Sequence, residues 1–104
     1  MTATILDGRA LAARIEASLR SEAGTFATVF RRPPRLVVVL VGDLAASGSY
    51  VKSKAAAASR VGIDSEVIRM PATATTADLV ALVTAIAGDA HGPADGILVQ
   101  LPLP

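Results

Sequence analysis

Three polar side chains have types and a spacing that could do chemistry: Tyr50, Lys54 and Gln100. Tyr50 and Lys54 lie four residues apart, so in a helix they share one face, about 6 Å apart along the axis. A lysine beside an apolar helix can be partly desolvated, which suits it for transferring a proton or holding an anion. A tyrosine ring can stack on a flat heterocycle, and a glutamine amide can orient an ammonium group. The alternative is a solvated lysine beside a surface tyrosine.

The residues before this pair predict the element that positions it. Residues 35–41 read RLVVVLV, a continuous apolar run that predicts a strand buried on both faces. Gly42 and several small residues then lead into the helix of Tyr50 and Lys54, and α/β sheets bind ligands outside the carboxyl ends of such strands. A last strand is predicted over residues 97–100. Because parallel strands end at the same rim, we expect Gln100 to meet Lys54 there.

The other patterns complete an alternation of helices and strands. Apolar residues at every fourth position predict a first helix that begins after an Asp7 N-cap and ends before Pro33. The second helix is expected to begin at a Ser47 or Ser49 cap and to end at Gly62, since glycine readily adopts the left-handed conformation of a helix end.

A more polar strand over residues 63–70 is expected at an edge of the sheet. A third helix follows from Thr75 or Thr76, with Asp78 in its first turn, where a carboxylate complements the helix dipole. The order predicts an α/β fold of three layers, α/β/α, with a small parallel sheet: βαβαβ preceded by an N-terminal helix. Residues 36–41 should form the central strand.

Composition narrows the classes of function. The 104 residues fit one domain, and the net charge of +1 gives no electrostatic case for nucleic acid or an anionic membrane. There is no cysteine, and His91 lacks partners for a metal site, so we expect a solvated loop histidine and no metal. We see no signal peptide, and no apolar run reaches the ~20 residues of a membrane span. A cytoplasmic protein is therefore expected.

The charged turns and the glycines suggest no further site. Arg31, Arg32 and Arg35 are interrupted by prolines and are interpreted as a solvated connection, and the Asp95–Gly96 pair as a turn. No Gly-Lys-Ser/Thr follows the glycines, so there is no P-loop. The spacing GxG is absent, so no nicotinamide cofactor site is expected. A flavodoxin-like receiver or phosphate-binding domain is disfavoured, because no acidic cluster follows the first strand and no glycine cradle is present.

Two stretches, VGDLAASGSYVKSKAAAASRVGI and DGILVQLPLP, closely resemble the N-terminal catalytic domain of one enzyme family, as does the opening ILDGRALA. It is the bifunctional methylenetetrahydrofolate dehydrogenase/methenyltetrahydrofolate cyclohydrolase family. Its members oxidise 5,10-methylenetetrahydrofolate with NADP, or NAD in some members, and hydrolyse the methenyl product to 10-formyltetrahydrofolate. The resemblance implies a catalytic domain over residues 1–104, tetrahydrofolate derivatives as ligands, and NADP as cofactor of the full-length, homodimeric family.

The resemblance also implies a role for each candidate residue. Lys54 would be the catalytic lysine that handles protons in the cyclohydrolase step, and Gln100 would hydrogen-bond and tune it. Tyr50 would stack against the folate ring system. Ser47 would be a polar neighbour of the lysine. Leu101 and Pro102 would line the folate cleft.

Family members are much longer than this chain, so we expect an incomplete domain without the cofactor-binding half and without dehydrogenase activity of its own. The rival hypothesis is a non-catalytic remnant or interaction module that needs a second half. It is motivated by the sheet edge and the apolar end ILVQLPLP, which would be exposed and prone to association.

Overall fold

The sheet is organised around one buried strand. A computed structural model describes residues 3–104, and in it β1, Arg35–Val41, lies between β2, Asp64–Met70, and β3, Gly96–Val99. Both pairings are parallel, with Arg35 opposite Asp64 and Leu36 opposite Gly96. The predicted central strand and polar edge strand are thus confirmed, and the last strand is displaced by one residue toward the N-terminus.

Helices cover both faces of this sheet. The three helices are α1, Gly8–Phe30, α2, Ala45–Val61, and α3, Thr76–Ala87. Because side chains alternate along a strand, Val38 and Leu40 face α2, where they pack with Val51. Val37, Val39 and Val41 face α3, where they pack with Ile86. Helix α1 packs on α2, and the predicted α/β/α arrangement is confirmed.

Local capping interactions set several helix ends as predicted. The Asp7 side chain accepts from the Ala10 N–H at 3.0 Å and begins α1. Thr75 and Asp78 form a reciprocal capping box at α3, and the Thr75 N–H lowers the pKa of the Asp78 carboxyl. Gly62 ends α2 at a φ of 85°, in the left-handed region.

The predicted cap of α2 is wrong. The helix begins at Ala45, and Leu44 occupies the N-cap position without a side-chain hydrogen bond. Alanine is the best helix former, so the helix extends back past both serines. Ser47 consequently lies in the first turn and is fully buried, whereas Ser49 is exposed.

The apolar stripe of α1 correctly predicts the helix but is only partly covered. Leu11, Ile15 and Leu19 remain 51%, 50% and 40% exposed. Contacts between α1 and α2 are instead partly polar, since Arg60 donates to Glu16 at 3.0 Å and accepts through its carbonyl from Arg20 at 3.1 Å. Within residues 3–104, no helix is both long and apolar enough to cross a membrane.

Candidate functional site

The predicted meeting of Lys54 and Gln100 is present. Lys54 Nζ donates to Gln100 Oε1 at 2.5 Å. The contact arises because α2 starts at the carboxyl end of β1, and Gln100 follows β3 at the same end of the sheet. As whole residues, Lys54 is exposed and Gln100 is only 5% exposed. A buried amide thus holds one side of an ammonium group whose other side is open.

Three hydrogen bonds fix the orientation of Gln100. Its backbone N–H donates to the Val39 carbonyl at 2.9 Å, which continues the pairing of β3 with β1. Its side-chain Nε2 donates to the Leu101 carbonyl at 2.7 Å. The amide nitrogen is thereby used, and the acceptor oxygen Oε1 faces Lys54. Gln100 can therefore hold the lysine without competing for its proton, because an amide oxygen is a weak base.

Tyr50 lies one turn before Lys54 on the same side of α2 and is 53% exposed. Its ring is free to receive a flat ligand from solvent. Lys54 also lines a shallow, mostly apolar groove of about 270 Å³ together with Glu16, Leu19 and Leu36. Lys54 thus lies between its polar partner Gln100 and a mostly apolar groove.

Ser47 is the third member of this helix side. Steps of 100° per residue place it within roughly a sixth of a turn of Tyr50. Its side chain is 0% exposed, and its Oγ has no hydrogen-bond partner among the described residues. A buried hydroxyl without a partner destabilises a fold, and such features often mark functional positions.

Leu101 and Pro102 directly follow Gln100, and the peptide bond between them is cis. Leu101 is 63% exposed. The segment continues to Pro104, whose Cγ lies 3.3 Å from the position that a Cβ on Gly42 would occupy. Gly42 also has a φ of 80°, so its backbone conformation favours glycine, and a Cβ there would crowd Pro104.

Sequence reasoning missed an ionic clamp at the opposite end of the sheet. Asp95 accepts from Arg32 Nη1 and Nη2 at 2.6 and 2.9 Å and from the Arg35 N–H at 2.8 Å. The Arg32 guanidinium and this N–H lower the pKa of Asp95 to about 2. Arg35 also pairs with Glu66. The arginines interpreted as a solvated connection, and the Asp95–Gly96 turn, thus tie β3 to β1. The signal for this in the sequence was an acidic residue directly before a predicted strand.

With this geometry established, comparison with known proteins identifies the family. Residues 6–104 match the family model described as tetrahydrofolate dehydrogenase/cyclohydrolase, catalytic domain. The chain belongs to this family. It is 48% identical over 105 aligned positions to the bifunctional protein FolD of Acidiphilium cryptum, covering 100% of this chain and 35% of that protein. The chain therefore spans about a third of the length of such a tetrahydrofolate dehydrogenase/cyclohydrolase relative.

Solved structures of this family share the fold. A 5,10-methylenetetrahydrofolate dehydrogenase from the silkworm Bombyx mori is 38% identical, with a TM-score of 0.88, over 99% of this chain and 35% of that one. A methylenetetrahydrofolate dehydrogenase-cyclohydrolase from Trypanosoma brucei, solved with NADP cofactor and an inhibitor, is 32% identical. Its TM-score is 0.80 over 100% of this chain and 35% of its own.

Proposed function

We propose that this chain supplies the folate-binding and proton-transferring residues of a methylenetetrahydrofolate dehydrogenase/methenyltetrahydrofolate cyclohydrolase. The observation that carries the proposal is the hydrogen bond from Lys54 to the buried Gln100, with Tyr50 open to solvent one turn away. Family membership supports the substrate class. A cytoplasmic location and a homodimeric full-length protein stay predictions.

The chemistry of methenyl-folate hydrolysis requires a group that can move protons. Water adds to a carbon–nitrogen double bond and a ring then opens, so a proton must leave the water and another must reach a ring nitrogen. Lys54 Nζ can serve both transfers from one position, because only one of its hydrogens is used by Gln100. Gln100 Oε1 accepts an N–H from the ammonium or the amine form, so it holds Nζ in place throughout.

The surrounding residues would hold the substrate. The exposed ring of Tyr50 would stack against the folate ring system, beside the lysine on the same face of α2. Ser47 would contribute a polar neighbour in the first turn of that helix. Leu101 and Pro102, next to Gln100 at the rim, would line the cleft.

The residues of this chain do not fit NADP, the cofactor that the resemblance implies for the full-length family. In α/β folds the pyrophosphate of a dinucleotide lies over the turn that follows a strand and opens a helix. Here that turn contains Gly42, and Pro104 lies across it, 3.3 Å from where a Cβ would stand. The sequence also lacks a GxG spacing. We assign no step to NADP on this chain and expect no NADPH formation from methylenetetrahydrofolate by the purified protein.

Hydrolysis of 5,10-methenyltetrahydrofolate, followed by its absorbance, tests the proposal. The wild-type chain should exceed the buffer rate, and Lys54→Ala should lose about 100-fold of the excess, as expected for removal of a proton-transferring group. Arg14→Ala, an exposed cation on α1, is the matched control and should keep the wild-type rate. Equal rates for wild type and Lys54→Ala would rule out catalysis by Lys54.

A second candidate is a non-catalytic module that acts only with another chain. It is favoured by the exposed apolar side chains of α1, Leu11, Ile15 and Leu19, because exposed apolar stripes commonly mark interfaces. Size-exclusion chromatography across a range of concentrations tests it. A monomer at all concentrations that hydrolyses methenyl-folate would contradict the module.

A further inference from the structure

Helix α2 borders a second cleft on the side away from Lys54. This open cleft, of about 560 Å³, lies between the first half of α2 and the carboxyl end of the edge strand β2. Its walls carry Lys52 and Arg69, and its other contributors include a small residue, a hydroxyl and apolar side chains: Gly48, Ser49, Val51 and Val67. None of these residues lines the groove that Lys54 borders.

The charges of this cleft are unbalanced. Lys52 and Arg69 are both exposed, and among residues 3–104 neither takes part in an ion pair, whereas Arg32, Arg35 and Arg60 each do. No acidic residue is among those lining the cleft. The acids of β2 alternate onto the other face of the sheet, where Glu66 pairs with Arg35. Two cations therefore face one cavity without a counter-charge.

The remaining lining completes a site with separate polar and apolar parts. Val51 is 5% exposed and forms, with the half-buried Val67, an apolar floor between the cations. Ser49 adds an exposed hydroxyl, and the first turn of α2 contains no acidic residue to oppose the positive helix end. A Cβ on Gly48 would meet nothing within 4 Å, so the wall there is open.

We propose that this cleft binds a small dicarboxylate, independently of the folate site. One carboxylate would take the planar fork of Arg69, which matches two carboxylate oxygens, and the other would take the ammonium of Lys52 and the Ser49 hydroxyl. The short carbon chain between them would lie on Val51 and Val67. The two cations stand on opposite walls, on a helix and on a strand, so two separated acidic groups fit better than a single compact anion.

Titration of the isotope-labelled 104-residue chain with succinate, followed by amide and lysine side-chain resonances, tests the proposal. The chain contains only two lysines, Lys52 and Lys54, so their side-chain signals are readily assigned. Ionic strength is held constant with sodium chloride, and inorganic phosphate is titrated in parallel. Succinate should give saturable shifts at Ser49, Lys52 and Arg69, and phosphate should bind more weakly.

Four variants complete the test. Lys52→Gln and Arg69→Gln should each weaken succinate binding about tenfold, the loss of one charge-assisted contact. Arg14→Gln, a distant exposed cation, and Lys54→Gln should leave it unchanged. Both cleft residues are exposed, and the dispersion of the amide spectrum verifies that the variants fold.

Several outcomes would overturn the proposal. They are shifts that stay linear in succinate, equal or tighter binding of phosphate, and an equal effect of Arg14→Gln. Loss of binding in Lys54→Gln but not in Lys52→Gln would place the anion in the candidate folate site instead. That last outcome would leave the proposed folate function intact, so the two proposals can fail separately.

Discussion

Replacing Ser47 by alanine is expected to stabilise the fold, although Ser47 belongs to the candidate site. The hydroxyl is 0% exposed and has no hydrogen-bond partner among the described residues. Removing an unsatisfied buried polar group recovers about 1–3 kcal/mol. Alanine in a helix gains about another 0.5 kcal/mol over serine, and the small void left by one oxygen costs a few tenths of a kcal/mol, at about 24 cal/mol per Å³.

The net gain in the free energy of unfolding is therefore about 1–3 kcal/mol. For a domain of this size each kcal/mol raises the melting temperature by about 4–8 °C. Urea unfolding followed by circular dichroism measures the gain. Ser53→Ala is the matched control, because Ser53 is exposed on the same helix and its replacement gains only the helix-propensity part.

A Ser47→Ala protein less stable than Ser53→Ala would refute the reasoning, since it would mean that the hydroxyl has a partner in solution. If the prediction holds, the same variant should bind folates more weakly under the proposed function. Stability gained at the expense of binding is the usual sign that a strained or unsatisfied group is kept for function.

Three further predictions concern the frame around the site. The pKa of Asp95 is lowered from 3.8 to about 2, so its contribution to stability is present above pH 4 and is lost as the pH falls toward 2. Asp95→Asn should therefore flatten the plot of the urea unfolding midpoint against pH in this range. An unchanged plot would contradict a stabilising role of the Arg32–Asp95 ion pair. Ile86→Ala, at a 0% exposed position, should cost about 2–5 kcal/mol in urea unfolding, while Val80→Ala, at a 58% exposed position of the same helix, should cost far less. Gly42→Ala should lower stability by about 1 kcal/mol or more, because φ is 80° and Pro104 stands close, and a thermal melt equal to wild type would contradict this.

The pairing of Lys54 with Gln100 was predictable because it depends on topology alone. A continuous apolar run at residues 35–41 indicates a buried parallel strand, and parallel strands must end at one rim. The position of Ser47 was not predictable to the same degree. Because α2 begins at Ala45 and not at a serine, Ser47 has helical backbone geometry. Its side chain therefore lies in the core instead of capping the helix.

Local sequence patterns could not predict the ion pair of Arg32 with Asp95, for another reason. Its partners are 63 residues apart, and their meeting depends on the register of β3 against β1, which short-range periodicity does not specify. The exposure of Leu11, Ile15 and Leu19 was likewise hidden. The periodicity of apolar residues predicts which side of a helix is apolar, but it does not predict which element covers that side.

The strand order β2-β1-β3 has a consequence for the time at which the site forms during synthesis. β1 and β2 adjoin through α2 and can pair as soon as they emerge, while Gln100 follows Lys54 by 46 residues. At a synthesis rate of about 5–20 residues per second, Gln100 is added to the growing chain several seconds after Lys54. On ribosome-bound nascent chains we expect hydrogen exchange to protect β1 and β2 before β3, so that the contact of Lys54 with Gln100 forms last.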